Sequence, residues 1–410
     1  MKRLLLCCGL ICASAFAQTY TVRPEWVKAD EDFLASDALQ GRGSATRDEQ
    51  IAAIYIASQF ESFGLKGQVQ PIELDSFQLD GKAELRIGDR ILHEGADFYI
   101  LTSSGASVTD TLPDALSIVE GTKAQLDRFA AGGATTRVTT LIKGIPATVN
   151  GTPATPPAST RVILKSGLLP KTGETVSLTV QSTPITKFTY NAMATLPGSD
   201  PSAETILITA HLDHLGIGAP VDGDSIYNGA NDDASGVTAV LEIARALASG
   251  PAPRRNVLFV CFGSEEAGGF GDRWFRENPP VPLKDIAANL EFEMIGVAQE
   301  GVPKGTMFLT GYERSNFGPA MKEHGALIGP DPFPKQNFFR RSDNYALAQR
   351  GVVAHTAAAG GAVPTYHKPN DDLEHIDFAL MTQLIQSMIE PLRWLANSDF
   401  RPAWNPGGQP

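Results

Sequence analysis

The sequence predicts an α/β fold: a three-layer sandwich around a mostly parallel or mixed central β-sheet, with a smaller β-rich insert. Two observations carry this. From Glu204 onward, short apolar runs alternate with helical patterns, the rhythm of strands crossed over by helices. Before that, between Leu92 and Lys187, short β-prone runs alternate with turns rich in Pro, Gly and Thr, which describes a separate β-rich unit. A length of 410 residues suits a large domain that carries such an insert.

Taken in order, Met1-Lys2-Arg3, the apolar run Leu4–Phe16 and the small-residue site Ala15-Phe-Ala17 read as a cleaved signal peptide over residues 1–17. The run is shorter than the ~20 residues a membrane span needs. Cys7, Cys8 and Cys12 lie there without a convincing lipobox, so a lipoprotein anchor is the lesser reading. Cleavage would leave Cys261 alone of the four cysteines, inside the apolar run Asn256–Phe262, and it is expected to be a buried core thiol. With 46 acidic against 34 basic residues the chain is acidic, which disfavours nucleic acid as a partner. The mature protein is expected beyond the inner membrane, periplasmic or secreted, with no stable membrane insertion.

Residues 18–91 are expected to form a helical N-terminal part of the main domain. There Thr46-Arg-Asp-Glu49 has the form of a capping box, Ile51 to Phe60 follow at near-helical spacing, and Gly64 closes the helix. Residues 92–187 form the insert and 188–410 the main domain. In the latter, strands are expected at Thr205–Ala210, Asn256–Phe262, Leu290–Ile295, Thr306–Thr310 and Val352–Ala358. Helices are expected at Ala234–Ala248 and Leu373–Asn397.

Polar residues at the ends of these apolar runs carry the chemistry. His211-Leu-Asp213-His214 is followed by Asn231-Asp232-Asp233-Ala-Ser-Gly236, then Gly263-Ser-Glu265-Glu266, Glu293-Met-Ile-Gly296 and Tyr366-His367-Lys-Pro-Asn-Asp371. Sites in open α/β sheets lie at the carboxyl ends of strands. Histidines and carboxylates gathered there suit a divalent cation, zinc above all, and water as nucleophile. Asp213, two residues beyond His211 in an extended segment, can accept from its second ring nitrogen and fix the tautomer. His214 then points to the opposite face and reads as a wall residue. An Asp pair before Ala234 also suits a helix N-cap, and an isolated Glu-Glu pair is most often two solvated acids opening a helix. His93, His324, His355 and His375 have no ligand-like context.

In this order and spacing the five segments resemble the co-catalytic zinc aminopeptidase family, which includes secreted bacterial leucyl aminopeptidases and, more distantly, glutamate carboxypeptidase II and glutaminyl cyclases. The resemblance covers roughly residues 186–395, with a helical lead-in at 30–66. It implies two zinc ions per chain, held by His211, Asp232, Glu266, Glu293 and His367, with Asp232 bridging and the Asp232–Asp233 peptide cis. It also implies that Glu265 is the general base, with Asp213 the second catalytic residue through its support of His211, and that Asp371 orients His367 or its loop. Glu293 departs from the aspartate usual in relatives, and Glu291 competes for its place on the same strand face. The insert occupies the position of a protease-associated domain. Phe338, Phe339, Asp343, Tyr345 and Tyr366 are expected to bind substrate.

The expected function is therefore an exported zinc exopeptidase acting on peptides, an aminopeptidase first. A glutaminyl cyclase with one zinc, or a non-catalytic receptor-like relative, are the alternatives. Side-chain preference, and aminopeptidase against dipeptidase or carboxypeptidase action, stay open at the level of sequence.

Overall fold

A computed structural model describes residues 20–109, 116–130, 137–145, 148–149, 152–153 and 160–410. The expected signal peptide and its three cysteines lie outside the described residues. A nine-stranded sheet organises the main domain. In chain order its strands are β1 (Gln68–Leu79), β2 (Leu141–Ile142), β3 (Ser182–Leu196), β4 (Thr205–His211), β5 (Val257–Phe262), β6 (Ile286–Phe292), β7 (Met307–Leu309), β8 (Ile328–Pro330) and β9 (Ala354–Ala358). Across the sheet they run β8-β7-β9-β6-β4-β5-β3-β1-β2. The central neighbours β9, β6, β4 and β5 are parallel, whereas β3 and β1 join antiparallel at one side and β7 lies antiparallel to β9 at the other.

The continuous apolar runs make sense in a sheet covered on both faces. Along β5, Val257, Phe259 and Cys261 enter the larger core, while Leu258, Val260 and Phe262 enter the core on the opposite face. Helices α1 (Pro24–Leu34), α2 (Arg47–Ser62), α3 (Ser235–Ala248) and α7 (Phe378–Asn397) enclose the first core. The second lies under α4 (Phe270–Glu277) and α6 (Asn344–Gln349), which contribute Phe275 and Leu347. A further helix of this domain, α5 (Phe317–Glu323), packs near the β8 edge. Helix α3 touches α1, α7 and the sheet, and its residues are almost all buried.

Between β1 and β3 the chain builds two four-stranded sheets with a core of their own, drawn from Leu85, Ile87, Phe98, Ile100, Val162, Leu164 and Leu178. These sheets begin at Glu84 because β1 is spent on pairing with β3. Two expected boundaries move. The strand expected at Leu290–Ile295 runs instead from Ile286 to Phe292, since Met294 has a positive φ of 54° that no strand tolerates. The closing helix begins at Phe378, with Asp377 accepting from Leu380 N as its cap, after a separate short turn at Leu373–His375. Cys261 is free and buried. Among the described residues no helix is long and apolar enough to cross a membrane.

Candidate metal centre

The parallel strands β4, β5 and β6 deliver their carboxyl ends to one edge of the sheet. His211 closes β4, Gly263 to Glu266 leave β5, and Glu293 follows β6. Asp232 comes from the turn that opens α3, and His367 from the loop beyond β9. Gly236 permits this packing: a Cβ there would lie 2.3 Å from the Phe292 carbonyl oxygen and 2.4 Å from the Asp233 carboxylate.

Two groups of ligand atoms converge on Asp232. His211, Asp232 and Glu293 form one, with His211 Nε2 3.1 Å from Asp232 Oδ1. The second gathers around Asp232 Oδ2 and Glu266 Oε1. His367 Nε2 lies 3.3 Å from the first and 3.1 Å from the second, and His214 Nδ1 lies 4.0 Å and 3.0 Å from them. Ligands ~2.0–2.2 Å from one zinc ion stand roughly 3–4 Å from each other, so both sets are compact enough. Glu265 belongs to neither group and faces a cleft with Gly268, Asp272, Arg340, Asp343 and Tyr345.

Buried supports fix these groups. Asp371 accepts from Asn231 N and Asp232 N, both at 3.0 Å, and so holds the loop that presents Asp232. Asp233 accepts from Gly236 N, Met294 N and His211 N at 2.9, 3.1 and 3.3 Å, tying the first turn of α3 to the exits of β6 and β4. The Asp232–Asp233 peptide is cis. Arg42, fully buried, donates to the carbonyls of Leu212, Asn228 and Gly229 at 3.0, 2.7 and 3.0 Å. Glu49 of the capping box accepts from Ala45 N at 3.1 Å, and its other oxygen accepts from Ser264 Oγ at 3.1 Å and Thr189 Oγ1 at 2.8 Å. The helix start thus braces the Glu265 loop. Sequence reading missed Arg42, although a lone arginine flanked by Gly41 and Gly43 just before a capping box was the available signal.

Charge in the cluster is balanced by protons. Burial alone would push the His211 imidazole down, but the surrounding carboxylates, Asp213 and Asp232 foremost, hold it well above its ordinary value. His367, against the same opposition from burial, is carried up to about 10 by Asp232 and Glu266. Burial raises Glu265 well above the carboxylate range, and burial with the nearby Glu291 raises Glu293 to about 8. Asp232 and Glu266 go the other way: burial is outweighed by His211 and His367 at the first, and by His214 and His367 at the second. Protons on imidazoles held between ionised carboxylates occupy the role that a divalent cation takes over when it displaces them. Glu266 Oε1 and both nitrogens of His214 are buried with no hydrogen-bond partner among the described residues. The donor set fits zinc.

Residues 191–390 match the sequence profile of peptidase family M28. That region is similar to the family. Within the curated relatives, leupeptin-inactivating enzyme 1 of Streptomyces exfoliatus is 36% identical over 114 residues, 27% of this chain and 24% of that protein. The matched stretches span only 18% to 57% of the length of such relatives. The fold is similar to that of an aminopeptidase from Aneurinibacillus sp. strain AM-1, with a TM-score of 0.62 and 20% identity over 95% of this chain and 97% of that one. It is also similar to BSAP, a zinc aminopeptidase from Bacillus subtilis, with a TM-score of 0.61 and 18% identity over 93% and 97% of the two chains.

Within the matched region the structure alters the readings of Asp213, His214 and Phe339. Strand β4 ends at His211, so two-residue alternation no longer applies beyond it. The Asp213 carboxylate accordingly stands 3.7 Å from His211 Nδ1, which instead meets the Asp213 carbonyl at 3.2 Å. That carboxylate accepts from Glu265 N at 2.9 Å, Glu266 N at 3.3 Å and Ser44 Oγ, so it orients the Glu pair. For the same reason His214 is not a wall residue but sits against Glu266 and Asp232. Glu291 accepts from Ser342 Oγ at 2.8 Å, Asn344 N at 2.8 Å and Thr356 Oγ1 at 3.0 Å, so its carboxylate is committed to structure. Phe339, expected to bind substrate, is buried beside Tyr345, His355 and Trp404, because adjacent residues of a tight turn diverge. Phe338 and Tyr366 line a recess that ends at Glu293, with Phe308 and Arg341, whereas Asp343 and Tyr345 line the cleft beside Glu265. His355, between Ser315 Oγ at 2.7 Å and the Thr310 carbonyl at 2.8 Å, is structural.

Proposed function

We propose that the chain is an exported zinc aminopeptidase that binds two zinc ions and releases N-terminal residues from peptides. The observation that carries this reading is the pair of donor groups sharing Asp232, with the Glu265 carboxylate beside them and outside both. His211, Asp232 and Glu293 would hold one ion; Asp232, Glu266 and His367 would hold the other. Bound zinc supplies a Lewis acid for the scissile carbonyl and lowers the pKa of water from 15.7 toward ~7.

The remaining work falls to the chain. Glu265, held by burial at a basicity above that of an ordinary carboxylate, accepts a proton from the attacking water and returns it to the leaving amine. Asp213 fixes the backbone from which both Glu265 and Glu266 project. The recess that ends at Glu293 receives the first residue of the peptide, whose side chain meets the Phe338 and Tyr366 rings. Export rests on the Lys2-Arg3, Leu4–Phe16 and Ala15-Phe-Ala17 pattern.

The test is a panel of free and N-acetylated aminoacyl anilides and dipeptides, run with the purified protein before and after chelation and zinc return. Cleavage of free but not acetylated anilides, lost with the metal and restored by zinc, is the expected result. Cyclisation of N-terminal glutamine with a single bound ion indicates the cyclase instead, and no turnover with any substrate indicates a receptor-like relative.

A further inference from the structure

We propose that His214 is a ligand of the second metal ion through Nδ1, so that this site offers four protein donors and the first only three. The inference rests on the zinc reading of the centre. His214 is fully buried, and neither ring nitrogen has a hydrogen-bond partner among the described residues. Nδ1 nonetheless stands 3.0 Å from Glu266 Oε1, itself without a hydrogen-bond partner. Two lone-pair atoms that close together without hydrogen-bond alignment have the relation of two ligands to one cation, for which roughly 3–4 Å is the ordinary separation. Asp232 Oδ2 at 4.0 Å from Nδ1 completes the set, and the His367 ring meets the His214 ring edge-on with centroids 5.7 Å apart.

His355 shows what a buried structural imidazole looks like in this protein: both of its nitrogens are engaged, at 2.7 and 2.8 Å. A buried polar group left unpartnered costs free energy, so His214 needs another reason for its place. The fold builds that place. His214 N donates to the Arg42 carbonyl at 3.1 Å, and its carbonyl accepts from Ser44 N at 3.3 Å. Its ring lies against Gly229, where a Cβ would come within 2.5 Å of Cγ.

The consequence is an asymmetric centre. Zinc sites closed by four protein donors hold the ion firmly, whereas three donors leave a position for water or substrate. The second ion should therefore bind more tightly, and the first site, at His211 and Glu293, should keep the open position.

Zinc content and affinity, measured by elemental analysis and competition with a chromophoric chelator, test this on the full chain for the wild type, His214→Ala and His214→Asn. The wild type should give up its two ions in separate steps. Both variants should weaken the tighter step by about 10–100-fold or more, and cobalt loaded at that site should lose the absorption of one nitrogen donor. Free imidazole should restore part of it in His214→Ala. Identical affinities and cobalt spectra in wild type and variants overturn the assignment while leaving the two-ion reading intact. A wild type that binds no divalent ion overturns both.

Discussion

The protein buries carboxylates in two places, and their partners differ. At the strand ends Asp232, Glu266 and Glu293 meet the imidazoles of His211, His214 and His367. Beneath α1 and α3, Asp30, Glu31 and Glu242 are also buried but meet hydroxyl groups and a guanidinium, with no imidazole among the contacts named. Asp30 accepts from Tyr55 OH at 2.6 Å, Glu31 from Thr238 Oγ1 at 3.1 Å, and Glu242 lies 3.1 Å from Arg245 Nε. The Arg245 guanidinium also stacks over Trp26 and Phe63, with its carbon 4.2 and 4.5 Å from the ring centres. Some contacts in both clusters lack hydrogen-bond alignment. At the strand ends such a contact sets an imidazole nitrogen against a carboxylate oxygen, the pairing of borderline and hard donors that zinc takes. Burial of acids is thus no mark of a reactive site by itself; the chemistry of what faces them is.

The largest effect should come from Glu265, the acid that neither cluster pairs. Glu265→Gln should lower turnover by about 10²–10⁴-fold while retaining the metal, because general-base catalysis contributes that much. Steady-state kinetics with elemental analysis on the same preparation checks it. Zinc loss as complete as that of Glu266→Gln would erase the distinction between the two neighbours.

Next comes removal of the metal. Each ion at a free concentration of 100 times its dissociation constant stabilises the fold by about 2.7 kcal/mol. Exhaustive chelation should therefore abolish activity and lower the unfolding midpoint, and Glu266→Gln should show most of that loss without a chelator. Glu242→Gln should leave the zinc content unchanged. Zinc loss in Glu242→Gln would mean that the two clusters are coupled through α3.

How far these clusters could be read from the chain follows the same contrast. His211, Glu265, Glu266 and Glu293 stood out because each lies at or just past an apolar run, and parallel strands bring such ends together; Asp232 and His367 came from the resemblance of their motifs to the family. The α/β alternation stood out because β4 and β5 are buried on both faces and so read as unbroken apolar runs. His214 and the true role of Asp213 were hidden by the assumption that extended backbone continued past His211. Glu31 and Glu242 were invisible, since a buried acid within an amphipathic helix looks like a surface acid until the helix packed against it is known. Arg42 lies far from its partners in sequence, and only the closed fold brings Leu212 and Asn228 to it.

The carboxyl end of β6 offers a smaller test. Glu293→Ala should remove the ion held by His211, whereas Glu291→Ala should retain both ions. The latter leaves Ser342, Asn344 N and Thr356 without their acceptor, so its stability should fall by about 1–3 kcal/mol. Glu293→Asp should keep two ions with reduced turnover, because the carboxylate retreats by one methylene. Zinc analysis and denaturant titration separate the three variants. Metal loss from Glu291→Ala would shift the assignment along β6 by two residues.

The smallest effect belongs to the arginine-paired cluster, and it depends on pH. Burial raises Asp30 to about 6 and Glu242 to about 7, despite the opposing pull of Arg245 on both. A carboxyl group whose folded pKa lies above its ordinary value binds more protons folded than unfolded. Its contribution is therefore fully present below the ordinary value and is lost as pH rises through the folded one. For Glu242 that window runs from 4.5 to about 7. Glutamine resembles the protonated form, so Glu242→Gln should match the wild type near the acid end of the window. Above it the variant should be the more stable by about 1–3 kcal/mol, taking 1.36 kcal/mol per pKa unit as a ceiling for a pair partly neutralised by arginine. Urea unfolding of zinc-saturated protein across this range measures the difference. A gap that stays constant with pH would mean that Glu242 is ionised throughout, and that Arg245 neutralises it as completely as a metal ion would.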